Sequence, residues 1–255
     1  MSNAATEKLN DFNADLHIHT VLSPCADLEM SPVNIIREAQ RKGLDIIAIT
    51  DHNASAHCKV TGEIGKEAGI FVIYGIEVTT SEETHCLTYF ESLEKLAEFQ
   101  EIIDNTILKI KNKPKRFGYQ VIVDKNENIL GDIDWLLLSA VKLSLDEVTE
   151  KAHNLGGIVI PAHIDRSMFS LTSQLGFVPP DLQADAYEVS KFSTPEEMIS
   201  KYPYLRNKTF IRTSDSHYLK DIGSVSTVLR IKSRSFEEIK MAISNTCERK
   251  VIINR

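Results

Sequence analysis

The sequence predicts an α/β protein in which repeated strand and helix units close into a barrel, and three observations carry that reading. Apolar, β-branched runs alternate with amphipathic segments, over connections long enough for crossovers between parallel strands. Histidine and carboxylate groups stand at or just after the ends of most of those runs: His17 and His19, Asp51 and His52, Glu77, His85, His163, Asp215 and His217. Strand ends are where such a barrel exposes its chemistry. Finally, 255 residues, 42% of them hydrophobic, suffice for one large domain with a substantial core.

The elements follow in order. Residues 14–20 are predicted as a strand, with Leu16 and Ile18 on one face and Asp15, His17 and His19 on the other, because side chains two apart on a strand share a face. Ser31 and Pro32 supply an N-cap and a first-turn proline, and Gly43 ends that helix. The run 45–50 is a buried strand delivering Asp51 and His52; a helix reaches Gly69, and strand 70–79 carries Glu77. Residues 85–90 form a shorter strand. Residues 157–162 deliver His163, 186–189 form a short strand, and Thr194, Pro195 and Glu197 start another helix. Residues 209–214 lead to Asp215 and His217, 225–231 form a last strand, and Ser235 with Glu238 caps the closing helix.

Residues 92–150 interrupt the alternation. A charged amphipathic helix over 93–111 precedes a hairpin around a polar turn at 124–128, and Ser144 with Glu147 caps a helix ending at Gly156 and Gly157. This segment is predicted to be an insertion over the barrel mouth, acting as a lid or substrate-selecting wall. Residues 1–12 are expected to be a tail and 13–255 the domain.

Composition sets further bounds. A net charge of -7 argues against a broad phosphate-backbone surface, and so against long nucleic acids, while leaving room for a local cationic pocket. The four cysteines (Cys25, Cys58, Cys86 and Cys247) form no CxxC pair, as expected in a reducing cytoplasm. No apolar run is long enough for a membrane span, and the polar N-terminus has no secretory apolar core. A cytoplasmic protein is expected.

Six of the eight histidines fall in the strand-end series. One HxH arises by chance, and Asp51 is also a plausible helix cap. Glu77 is costly to bury without a cation. All these groups recurring at similar places in successive units point to a polynuclear metal site. The nitrogen- and oxygen-rich donors suit Zn, Mn or Fe rather than Ca or Mg alone. Clustered metals hydrolyse phosphate esters, and also amides and lactones.

The series Asp15-Leu16-His17-Ile18-His19, Thr50-Asp51-His52, Glu77, His85, Pro161-Ala162-His163 and Ser214-Asp215-Ser216-His217 resembles the PHP (polymerase and histidinol phosphatase) superfamily. The resemblance runs from about Asn13 to the C-terminus, least clearly over 92–150. It implies a distorted seven-stranded, TIM-like β/α barrel with two or three divalent metals. His17, His19, Glu77 and Asp215 would hold one metal. Glu77 would bridge to a second on His85 and His163, and His52 and His217 would hold a third. Where histidinol phosphatase-like members place a histidine, this chain has Cys25, a candidate third-site ligand that favours Zn or Fe, with Asp27 as the alternative.

Glu77, Asp215 and His217 are the expected catalytic residues, and Arg166 the expected clamp on a substrate phosphate. Asp15 and Asp51 are expected to orient the histidines. The reading is a metal-dependent phosphoesterase acting on a phosphate monoester, a nucleotide or a short oligonucleotide end. An amidohydrolase-type barrel ranks lower, because its carboxylated bridging lysine has no counterpart here. A non-catalytic metal-binding scaffold is the third alternative.

Overall fold

A computed structural model describes residues 8–253. In chain order the first half comprises β1 (Asn10–Ile18), α1 (Pro32–Arg41), β2 (Ile46–Ile49), α2 (Cys58–Ala68), β3 (Phe71–Thr79), β4 (His85–Phe90) and α3 (Leu93–Thr106). Then come α4 (Pro114–Phe117), β5 (Val121–Val123), β6 (Ile129–Asp132), α5 (Leu145–Asn154), β7 (Ile158–Pro161) and α6 (Leu171–Gln174). The last part holds β8 (Tyr187–Val189), α7 (Pro195–Lys201), β9 (Phe210–Arg212), β10 (Thr227–Ile231), α8 (Phe236–Ile243) and β11 (Lys250–Ile253).

The sheet is a curled half-barrel in the order β11-β10-β1-β2-β3-β4-β7, and the parallel pair β8-β9 completes the wall. Asp185 N donates to Val159 O and Ile164 N to Glu188 O, joining β8 to β7. On the other side Ser216 N donates to His17 O and His19 N to Ser216 O, joining the segment after β9 to β1. The seven strands around the centre are therefore β1, β2, β3, β4, β7, β8 and β9. β10 and β11 extend outward from the first half of β1, with Asn10 opposite Ile231.

The expectation of a uniformly parallel sheet fails at β4, which runs antiparallel to both β3 and β7. Only residues 80–84 link β3 to β4, too few for a crossover, so the chain turns straight back. β10 and β11 are antiparallel as well. The fold also begins earlier than Asn13, because pairing with β10 recruits residues 10–12 of the expected tail into β1; residues 1–7 lie outside the described residues.

Helix starts and stops follow local chemistry. Ser31, Ser92, Ser144 and Thr194 each accept a backbone N–H in the first turn of their helix, and Gly69 adopts the left-handed C-cap. Two apolar layers result. One, including Ile35, Ile47, Ile76 and Phe99, packs the helices against the sheet. The other gathers Leu16, Ala48, Leu87, Ile160 and Ile211 from five strands and fills the centre. Tyr89 Oη crosses that centre from β4 to donate to Leu16 O at 2.6 Å.

The interrupting segment resolves into three parts. α3 ends at Thr106, short of the expected 111, and packs as an ordinary barrel helix with Phe99 against Phe90. The chain then runs extended, with Ile107 bridged to Val141 and Lys111 to Trp135, and carries the hairpin β5-β6. α5 rejoins the barrel beside β7. Residues 107–143 are bonded to loops that leave strand ends: Val141 N donates to Thr79 O, and Asn53 Nδ2 to Leu137 O.

Candidate metal centre

β1, β2, β3 and β7 deliver their final residues to one end of the barrel, and antiparallel β4 delivers its first residue there. His85 thus reaches the same mouth from the start of a strand. The side chains of His17, His19, His52, Glu77, His85 and His163 are buried together, and Asp215 and His217 close the cluster from the loop after β9. His17 Nε2 and His19 Nε2 lie 3.1 Å apart. Glu77 Oε1 is 3.3 Å from His17 Nε2, and Glu77 Oε2 is 3.3 Å from His19 Nε2. Asp215 Oδ1 is 3.4 Å and 3.5 Å from the same two nitrogens. On the far side of Glu77, His85 Nδ1 lies 3.0 Å from Oε1, His163 Nε2 3.4 Å from Oε1, and His52 Nδ1 2.9 Å from Oε2. The donor atoms of His19, His52 and His217 form a third close group.

Hydrogen bonds behind the cluster settle which ring nitrogen faces it. His17 Nδ1–H donates to Glu188, with the oxygens at 2.9 and 3.2 Å, and His217 Nδ1–H donates to Asp215 O at 3.0 Å. Ser23 Oγ donates to Asp51 Oδ1 at 2.6 Å, so it accepts from His19 Nδ1–H at 3.0 Å and from His52 N at 3.2 Å. Bare Nε2 lone pairs of His17 and His19 therefore face each other and the oxygens of Glu77. Both Glu77 oxygens, His52 Nδ1 and His163 Nδ1 are buried without a hydrogen-bond partner. Lone pairs converging at such spacing need a cation. Four ligands about 2.1 Å from a tetrahedral ion would stand about 3.4 Å apart, and the atoms around His17, His19, Glu77 and Asp215 meet that spacing. The residues fit a metal cluster.

The electrostatics show the same demand for positive charge, met by a proton on an imidazole or by a metal ion. Burial opposes charge on His17, His19 and His52, but their partners outweigh it. Glu188, Glu77 and Asp215 lift His17 well above its ordinary range; Asp215 and Glu77 raise His19 to about 9, and Cys25 and Glu77 raise His52 to about 9. His85 and His217 are less compensated, and burial lowers them to about 4 and about 3. Burial likewise opposes charge on Glu77 and Asp215, yet the histidines hold both carboxyls well below the usual range. The pocket is built for positive charge at its centre.

Holding this geometry strains the backbone. His163, Asp215 and Asn53, which follows His52, sit at φ 31, 49 and 48, the left-handed region that residues with a Cβ disfavour. His163 N donates to Glu188 Oε2 at 2.6 Å, and Asn53 Nδ2 is clamped by the carbonyls of Leu137 and Ser139.

A family model described as the PHP domain matches residues 15–169, well over half of the chain. The chain belongs to the PHP domain family. Endonuclease Q from Pyrococcus furiosus superposes with a TM-score of 0.72 at 20% identity, covering 95% of this chain and 58% of that one. A protein from Bifidobacterium adolescentis assigned as a metal-dependent phosphoesterase gives a TM-score of 0.55 at 20% identity, covering 80% and 87%. Among curated proteins, the uncharacterized protein MJ1587 of Methanocaldococcus jannaschii is 39% identical over 77 residues, which are 27% of this chain and 45% of that protein. The chain therefore spans less than half of that relative's length.

Within this PHP domain, eight of the nine sequence-predicted ligands meet in one cluster. Cys25, the ninth, lies at the exposed rim, near enough to His52 to help raise the pKa of that imidazole. Asp27 N donates to His217 O at 2.9 Å, but the Asp27 carboxylate accepts Glu29 N in a local turn. Arg166 sits over the mouth with its guanidinium on Asp215 Oδ2, beside a cleft of about 360 Å³ that Cys25, His163 and His217 also line. A larger cleft of about 860 Å³ between α7, α8, β9 and β11 contains none of these groups.

Two sequence expectations change. Asp15 does not touch a histidine; it accepts Ser214 N, Ser214 Oγ and Gly223 N, and so ties down the loop carrying Asp215. Asp51 acts on His19 only through Ser23, and otherwise accepts Thr20 N and Thr20 Oγ1. Sequence reasoning missed Glu188, which is fully buried on β8 and binds His17, His163 N and Thr213. Its signal was a lone carboxylate inside the short apolar run Ala186-Tyr187-Glu188-Val189.

Proposed function

We propose that this PHP domain protein is a metal-dependent phosphoesterase. The observation that carries the reading is the convergence of bare imidazole nitrogens on Glu77 and Asp215 beneath Arg166, at a cleft open to solvent. His17, His19, Glu77 and Asp215 would hold one metal, Glu77, His85 and His163 a second, and His52 and His217, with Cys25 at the rim, a third. The nitrogen-rich set favours Zn, Mn or Fe. Bound there, such ions would polarise a phosphoryl oxygen and lower the pKa of water.

The chain's own residues do the rest. Arg166 exchanges Asp215 for the non-bridging oxygens of the phosphate, a bidentate contact that lysine does not reproduce. The Oδ2 atom of Asp215 that Arg166 releases then accepts the proton of the attacking water as the oxygen–phosphorus bond forms. The ester oxygen departs and takes a proton from solvent at the open mouth. Glu188 and Ser23 keep His17 and His19 in the tautomer that leaves Nε2 free. Residues 137–141, bonded to the loops after β2 and β3 through Leu137, Ser139 and Val141, flank the mouth.

The test is metal analysis of the purified protein with turnover of bis(4-nitrophenyl) phosphate and 4-nitrophenyl phosphate. Chelation should abolish turnover, and Zn, Mn or Fe should restore it. Arg166→Ala should lower kcat/KM by about 10- to 100-fold, the worth of a hydrogen bond to a charged group. A metal-loaded protein inert toward both esters would overturn the reading in favour of a non-catalytic scaffold.

A further inference from the structure

The chain carries -7, yet residues 108–119 (LKIKNKPKRFGY) hold five cations and no acid, leaving -12 on the other 243 residues. Lys109, Lys111, Lys113, Lys115 and Arg116 are all exposed. No ion pair engages them among the described residues. A strongly acidic surface would be expected to draw such cations into salt bridges, and it has not.

The end of this strip is anchored at the rim of the metal centre. Gly118 packs so tightly on Pro24 that a Cβ there would stand 1.8 Å from the Pro24 carbonyl oxygen, and its φ of +103 also requires glycine. Pro24 adjoins Cys25, which lines the cleft. Elsewhere along that cleft stand Arg166 and Lys191, with two aromatic rings left in solvent: Phe192 is 77% exposed and Tyr218 49%. Each ring has a lysine over it, Lys191 at 5.6 Å and Lys220 at 5.4 Å. Exposed rings with flanking cations form a platform that tolerates any base, while a line of lysines without ion pairs follows a phosphate backbone.

We propose that the strip 109–116 and the Phe192–Tyr218 platform together hold a single nucleic-acid strand, whose phosphates run along the insertion and whose base at the metal centre stacks on the rim. The inference rests on the phosphoesterase reading of the same mouth and names its substrate class. It replaces the expectation of a small substrate drawn from the net charge, since -7 averages over a surface on which these cations are segregated.

Fluorescence anisotropy with labelled 12-mer single strands, DNA and RNA, tests it on the metal-loaded protein. Replacing Lys109, Lys111, Lys113 and Lys115 by Ala should weaken binding at least tenfold at 100 mM salt and flatten the salt dependence by about 3, at about 0.7 per phosphate contact. Removing the same charge from Arg37 on α1, Lys42 just after it, and Lys59 and Lys66 on α2 should change binding less than twofold. Phe192→Ala should cost about fivefold or more, and a strand of abasic sites should be insensitive to it. Turnover of bis(4-nitrophenyl) phosphate should persist in the strip variant. Equal losses in the two lysine sets would overturn the inference, as would strip lysines that bind anionic vesicles but no strand. Strand binding with an inert metal centre would instead refute the phosphoesterase reading and leave the surface standing.

Discussion

Glu188→Gln isolates the residue that the metal centre needs but does not include. The change keeps volume and shape and replaces one carboxylate oxygen by an NH2 group. In the wild type, Oε1 takes His17 Nδ1–H and the Thr213 hydroxyl, and Oε2 takes His163 N–H. A glutamine satisfies one side only. With its oxygen toward His17, its NH2 faces the His163 N–H, leaving a buried donor unpaired at a cost of about 1–3 kcal/mol. With its NH2 toward His17, Nδ1 must accept, and the proton moves to Nε2, the atom that faces the cluster. The second outcome removes a ligand. Loss of a partner that orients a metal-bound histidine typically costs 10- to 100-fold in metal affinity, about 1.4–2.7 kcal/mol. Competition of the protein with a chromophoric chelator for Zn, read beside thermal unfolding, measures both. Unchanged affinity together with unchanged Tm would refute the argument that Glu188 sets the tautomer of His17.

Two further perturbations probe the centre. Glu77→Gln should lower the metal-to-protein ratio by at least one and remove most turnover while far-UV circular dichroism stays native, because the side chain carries bridging charge rather than core volume; near wild-type turnover would show that Glu77 is not the bridge. In a variant whose other three cysteines are replaced, Cys25 should be shielded from alkylation until a chelator is added, and rapid labelling of the metal-loaded protein would show that it is not a ligand.

The sequence by itself determined most of the candidate site. Most of its ligands lie at the ends of apolar runs, and parallel strands deliver such residues to one end of the barrel by chain geometry alone; His85, at the start of antiparallel β4, is the exception. Helix starts were equally local: Ser31, Ser144 and Thr194 cap with a hydroxyl and the turn that follows, and no distant residue is needed. What depended on distant partners was not legible. β4 runs backwards because a short turn left no room for a crossover, and β1 gains residues 10–13 because β10, more than 200 positions away, pairs with them. The left-handed backbone of His163 and Asp215 runs against local preference and is held by tertiary contacts, Glu188 beneath one and the Asp15-bound loop beneath the other. Charge shows the same division. The basic run 109–116 is written in the sequence, but its place beside the metal centre is set by the contact of Gly118 with Pro24, which only the folded chain creates.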